Sequence, residues 1–173
     1  MITQLDVVFG YHSGVGATKW LNKSEMNAWI AYIKTSRDLM RALEHDLEPF
    51  GLDVGDYQLL AMLSDAPEQR LRMCELAEEL RLSRGGLTRR MDGVLKKRLV
   101  VRTQDKTDRR VAFIEMSTKG RALLDQVAPV HVQSVRRLMI DHLSASEILA
   151  IDKAFSKISS HLARERNVEK LNC

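Results

Sequence analysis

Residues 73–98 read MCELAEELRLSRGGLTRRMDGVLKKR, and residues 99–117 continue LVVRTQDKTDRRVAFIEMS. In the first stretch Met73, Leu76, Ala77 and Leu80 recur at steps of three and four, the period of a short helix with one apolar side. Ser83 stands where a cap belongs, ahead of a second helix that turns Leu87, Met91, Val94 and Leu95 inward. The period then changes. LVVRT and VAFIEM are β-branched, apolar runs on either side of the polar loop QDKTDRR, the pattern of a two-stranded hairpin with a long charged tip. Two helices joined by a tight junction, then a charged hairpin, is the order of a winged helix-turn-helix. In that motif the second helix lies in the major groove of DNA, where base edges present distinguishable donors and acceptors.

The charge agrees. Residues 81–110 hold eleven Lys or Arg against three acids, leaving +8, while the rest of the chain has 16 bases and 20 acids. A basic block inside an otherwise acidic chain repels itself across a small fold, so it points to an anionic partner, and the phosphates of double-stranded DNA fit. About 100° per residue around the second helix places Gly85, Gly86, Arg89, Gly93 and Lys96 opposite its apolar side. Each interior glycine costs about 1 kcal/mol relative to Ala. Three on one face predict close approach of a groove wall. Arg89 is the longest side chain there and the candidate base reader, since Arg pairs bidentately with guanine. Arg84, Thr88 and Lys96 are expected at phosphates and Arg90 among the DNA-binding residues, with Ser83 capping the helix, touching a phosphate, or both. In the hairpin tip, Asp108 is expected to brace Arg110, leaving Arg109 to enter a minor groove beside Lys106.

Outward from this stretch the chain reads as mainly α. Residues 1–21 show little periodicity and form an arm. Asn22 and Glu25 have the spacing of a capping box, and Trp29, Ile33, Ser36, Met40, Leu43 and Leu47 then step along a heptad-like seam of one long helix, ending near Pro49 and Gly51. Asp53 caps a further helix with Tyr57, Leu60, Ala61 and Leu63 inward; SDAPEQR reads as a turn. Thr118 is expected to cap the helix that follows the hairpin, with Pro129 bending it. Ser144 and Glu147 form a second capping box, ahead of Ile148, Ile151, Phe155, Ile158 and Leu162, again at steps of three and four.

Other classes fare poorly. The chain has 173 residues, 45% apolar and 29% charged, enough to bury a core. No apolar run approaches the ~20 residues of a membrane span, and the start of the chain does not read as a secretory signal; the expected location is the cytoplasm. Two cysteines, Cys74 and Cys173, are no disulfide framework. The five histidines form no H-E-x-x-H pair, and there is no P-loop, G-x-S-x-G or G-x-G-x-x-G, so neither an enzyme nor a cofactor or metal is expected. An architectural or redox-responsive DNA-binding protein is the alternative reading.

The stretch LRMCELAEELRLSRGGLTRRMDGVLKKRLVVRTQDKTDRRVAFIEMSTKGRALL (71–124) resembles the MarR family of bacterial transcriptional regulators, most specifically in ELAEEL, LSRGGLTR, DKTDRR and STKGRALL. The resemblance extends over roughly residues 24 to 163. This chain has Gly85 and Gly86 where the family often has serine or another small polar residue. The resemblance implies a homodimer joined by its terminal helices: an arm (1–21), a dimerisation helix (22–50), a winged helix-turn-helix domain (52–117), C-terminal dimerisation helices (118–164) and a tail (165–173). It implies a regulator, most often a repressor, that binds a near-palindromic operator and is released by a small aromatic or phenolic effector. Trp20, Trp29, Tyr32, Arg37 and Tyr57 are the residues expected to line the effector site, flat apolar walls with one cation. The zinc-responsive layout is not matched, because Val135 stands one turn beyond His131. Cys74 is expected to be a small apolar core residue rather than a redox centre.

Overall fold

The computed structural model describes residues 18–104 and 111–171, with backbone only for Arg84 and residues 166–171. The chain falls into two units, residues 1–37 and 38–173. In the first, Asn22 caps helix α1 (Lys23–Leu47). The Glu25 N–H donates to Asn22 Oδ1 at 3.0 Å, and the Asn22 N–H donates to Glu25 Oε2 at 2.7 Å, which is the reciprocal box expected of those residue types. Trp20, Leu21, Trp29 and Tyr32 of this unit are all exposed.

The second unit holds the end of α1 and all that follows. A 3-10 turn (Glu48–Phe50) closes α1, with Gly51 in the left-handed region at φ 67°. Helix α2 (Val54–Asp65) begins at Asp53, whose Oδ1 accepts the Asp56 N–H at 2.7 Å. After a turn at Pro67–Gln69 come strand β1 (Arg70–Arg72), helix α3 (Met73–Glu79), helix α4 (Arg84–Lys96), strands β2 (Val100–Gln104) and β3 (Ala112–Met116), helix α5 (Thr118–Leu138), a 3-10 corner (Ile140–His142) and helix α6 (Ala145–Leu171). The fold is mainly helical with a small antiparallel sheet, as expected.

The hairpin is part of a three-stranded sheet ordered β1-β3-β2. Leu71 pairs with Ile114, and Arg102 pairs with the same residue from the other side. The reading of SDAPEQR as a turn stopped one element short: three residues with a single apolar position carry no strand signal of their own, and β3 supplies the partner. Arg70 and Arg72 both approach the Phe113 ring, at 4.8 and 5.9 Å from its centroid, a cation–π contact that reinforces the pairing.

Two further expectations are corrected. Ser117, not Thr118, caps α5: its Oγ accepts the Gly120 N–H at 2.9 Å. That serine also donates toward the Arg98 and Leu99 carbonyls, so it joins the start of α5 to the exit of α4. Gly120 stands where any Cβ would collide with the Leu99 carbonyl oxygen. Cys74 is exposed rather than in the core. It lies two positions, about 200°, from the fully buried Leu76, and therefore on the far side of α3. Helix α5 runs unbroken through Pro129.

The core gathers Leu47, Leu59, Leu60, Leu63, Leu76, Leu87, Met91, Val94, Leu99, Ile114, Leu124 and Val127. Polar ties surround it. Ser134, buried on α5, donates to Asp46 at 2.6 Å, and Arg137 pairs with the same carboxylate at 2.7 Å. The His131 ring lies against Tyr57, centroids 4.1 Å apart, and its buried Nδ1 has no hydrogen-bond partner. Burial pulls the His131 pKa below the ordinary histidine value. Ser144 and Glu147 form the expected box at the start of α6, and the two hydrogen bonds to Ser144 hold the Glu147 carboxyl below its usual range.

Candidate nucleic-acid interface

Helices α3 and α4 meet through residues 80–83. The Arg81 N–H donates to the Glu78 carbonyl at 3.2 Å and the Leu82 N–H to the Ala77 carbonyl at 3.0 Å. That pair of bonds is a Schellman ending, with Arg81 at φ 57° in the position glycine usually takes. The same arrangement closes α4. The Arg98 N–H donates to Leu95, the Leu99 N–H donates to Val94, and Arg98 has φ 58°. Both junctions thus place arginine where glycine is sterically cheaper. A cation at a helix C-terminus recovers part of that cost from the helix dipole.

Ser83 caps α4 as predicted, its Oγ accepting the Gly86 N–H at 3.2 Å. Leu87, Met91 and Val94 are buried. Gly85, Thr88, Arg89 and Lys96 are exposed, with Gly86 and Gly93 half-buried beside them. The structure therefore brings these residues onto one side of α4. Among the described residues, Arg89 and Lys96 have no carboxylate partner. The three glycines are not equivalent. A Cβ at Gly85 or Gly93 would meet nothing within 4 Å, whereas at Gly86 it would lie 3.3 Å from the capping Ser83 Oγ. Gly86 is accounted for by the cap; among the described residues nothing fills the space beside Gly85 or Gly93.

Arg90 is placed differently from its neighbours. Its guanidinium turns inward onto the Asp53 carboxylate and onto Asp56 at 2.8 Å. Gly55 leaves it room, since a Cβ there would collide with the guanidinium. Lys97 joins from the end of the helix, donating to Asp56 Oδ2 at 2.6 Å and to the Gly51 carbonyl at 2.9 Å. Burial alone would raise the Asp53 pKa, but the hydrogen bonds from Arg90 and from the Asp56 N–H outweigh it, and the carboxyl sits below its usual range. Burial alone would lower the Arg90 pKa, and its two carboxylate partners raise it instead. Sequence reasoning missed this network. The signal available was the seven-residue spacing of Arg90 and Lys97 facing two acids three apart at the start of α2.

The wing residues Lys106, Asp108, Arg109 and Arg110 lie outside the described residues, and the Arg84 side chain is likewise not described. Of the residues expected to line an effector site, Trp29 and Tyr32 meet at a tilt, ring centroids 6.1 Å apart. Trp20 and Arg37 are exposed in the same unit, and Tyr57 in the second unit is spent against His131. A groove of about 840 Å³ runs between the end of α1 and α5, lined by Asp46, Phe50, Val130, Gln133, Ser134 and Arg137 among others, and none of the five predicted residues lines it. Among the described residues no three His, Cys, Asp or Glu side chains are grouped to hold a metal ion, and no helix is long and apolar enough to cross a membrane.

Comparison with known proteins places this geometry. Residues 50–111 match the model of the MarR family. AbsC, a MarR family transcriptional regulator from Streptomyces coelicolor, is 37% identical with a TM-score of 0.82, over 84% of this chain and 99% of that one. Sco3205 from the same organism, a MarR family transcriptional regulator solved in complex with DNA, is 28% identical with a TM-score of 0.80, over 83% and 94%. The HTH-type transcriptional repressor YetL of Bacillus subtilis is 27% identical over 119 residues, 69% of this chain and 71% of its own. With 37% identity to AbsC over 84% of its length, and the family model matched across its helix-turn-helix, the chain belongs to the MarR family of DNA-binding transcriptional regulators.

Proposed function

We propose that this protein is a cytoplasmic, sequence-specific repressor that binds a near-palindromic operator as a homodimer and is released by a small aromatic or phenolic effector. The observation that carries the reading is the exposed side of α4. Thr88, Arg89 and Lys96 stand there with Gly85 and Gly93, whose missing side chains serve no packing purpose. Arg89 reads a base in the major groove and Lys96 meets phosphate. Arg84 and Thr88 fix register on the backbone, and the helix start at Ser83 with the adjoining N–H groups favours a phosphate nearby. Lys106, Asp108, Arg109 and Arg110 of the wing are assigned to the DNA contact on their sequence chemistry alone. A relative of known structure, Sco3205, is bound to DNA, which supports the partner.

Homodimerisation is supported by α6, where Ile148, Leu149, Ile158 and Leu162 are exposed at 36–68%. Apolar surface left open in this way marks an interaction face. Two copies would read half-sites about one helical turn apart, roughly 10 bp. The exposed aromatic residues Trp20, Trp29 and Tyr32, with Arg37, supply flat walls and a cation suited to an aromatic acid.

The test is selection from a random duplex pool followed by footprinting. A symmetric site is expected, and protection of one asymmetric half-site would overturn the dimeric reading. Arg89→Ala is expected to cost about 1–3 kcal/mol on that site and to relax one position per half-site. Equal loss on selected and random DNA would remove Arg89 from base reading. Thermal-shift titration with aromatic acids tests the effector.

A further inference from the structure

Helix α4 is seated on the lobe mainly by Leu87, Met91 and Val94, and apolar burial has no direction of its own. Close packing of those side chains seats the helix, and charged hydrogen bonds add a geometric constraint of their own. Arg90 and Lys97 are seven residues apart, so they project within about 20° of one another along α4. Both converge on Asp56, which is 3% exposed: Arg90 on Oδ1 at 2.8 Å and Lys97 on Oδ2 at 2.6 Å. Asp53 holds Arg90 a second time, and the Gly51 carbonyl holds Lys97 a second time. Four attachments along two turns of α4 end on the first turn of α2 and the residues just before it. Arg89 lies about 100° around the helix from Arg90, so whatever fixes Arg90 fixes the bearing of Arg89.

We propose that the Asp53–Asp56 carboxylate pair, gripping Arg90 and Lys97, sets the roll of α4 about its axis and thereby the sequence specificity of the protein. Arg90 and Lys97 are positioning residues: they touch no base in this reading, and they decide where the exposed side chains of α4 point. A charge network inside a small lobe contributes little net stability compared with apolar side chains of the same volume. Its directional role accounts for its presence. The proposal rests on α4 being the element that reads DNA.

The experiment uses the full chain, a duplex selected by the wild-type protein from a random pool, and a scrambled duplex of equal length, at one salt concentration. Asp56→Asn keeps the shape of the carboxylate and removes its charge. It is expected to lower the ratio of selected to scrambled affinity by about tenfold or more, while affinity for the scrambled duplex holds or rises because an acid has been lost. Lys97→Met, at a side chain 42% exposed, decides the matter where Asp56→Asn fails to fold. It is expected to lower the ratio about threefold with scrambled affinity little changed. If Lys97 met phosphate instead, both affinities would fall together and the salt slope would drop by about one, and the proposal is overturned. An unchanged ratio in either folded variant overturns it too. If the wild-type protein enriches no sequence, the reading of α4 fails and the clamp fails with it; enrichment with an unchanged ratio in the variants rejects the clamp alone.

Discussion

Helices α4 and α6 are both amphipathic, and they end up in opposite states. On α4 the apolar side is shut by the chain itself, with Leu87, Met91 and Val94 at 4% exposure or less, and the polar side is open. On α6 neither side is shut: residues 145–165 are exposed at every position but Ile151 and Ala163, and the apolar stripe is open with the rest, Ile158 and Leu162 about half exposed. The same stepping of three and four therefore has two uses. One helix completes a core that a single chain can close. The other presents surface that a single chain leaves in water, at a cost of roughly 25 cal/mol per Å² of apolar area. A period in the sequence tells that a face will be buried and not by whom.

The contrast can be broken most forcefully on the open side. If α6 joins two copies as proposed, Ile158→Glu places a charge in that contact from each copy, at a cost of several kcal/mol. Sedimentation should then show monomers at micromolar concentration while the helical signal of the lobe persists. A dimer that survives this change would mean that another surface joins the copies. On the closed side, Met91→Ala should cost about 2–5 kcal/mol in urea unfolding. The share of that loss arising in the lobe itself should be the same at every protein concentration, and a loss that vanished on concentrating the protein would show that α4 too depends on a partner.

Smaller effects sharpen the picture of the lobe. Arg98→Gly should relieve the left-handed backbone at that position, φ 58°. The steric gain of about 1–2 kcal/mol is offset in part by the freer unfolded chain, leaving a net stabilisation of about 0.5 kcal/mol, seen as a raised urea midpoint. A fall in that midpoint would show that the arginine side chain holds the junction together. The smallest effect is the pH dependence from His131, whose folded pKa lies below its unfolded value near 6.5. Its neutral form is the one accommodated, so this contribution is complete above about pH 6.5 and is lost as the pH falls from there toward the folded pKa. His131→Leu should flatten the stability profile across that window, and an unchanged slope would place the titration elsewhere.

Much of this was legible in the residues. Asn22, Asp53, Ser83 and Ser144 act as caps where their side-chain chemistry and spacing put them, because capping is decided within four residues. Ser117 in place of Thr118 is the kind of miss that arises when two adjacent hydroxyls qualify and a distant carbonyl, that of Leu99, selects between them. Strand β1 was invisible for a similar reason: its evidence lies in β3. Cys74 was misplaced because a small side chain fits either side of a helix. Arg90 was counted with the basic surface because composition registers charge and not direction, and its partners at Asp53 and Asp56 lie more than thirty positions away.

One feature of α4 bears on the history of the protein. At Gly85 and Gly93 a side chain would enter empty space, and a helix gains about 1 kcal/mol from Gly→Ala at an interior position such as Gly93 and less at Gly85 in its first turn. The lobe therefore forgoes stability at two positions it could refill at no steric expense. A surface of that kind can be rewritten one residue at a time without disturbing the leucines beneath it. If α4 reads DNA as proposed, descendants of this chain can change operator at these exposed positions while Leu87, Met91 and Val94 stay as they are.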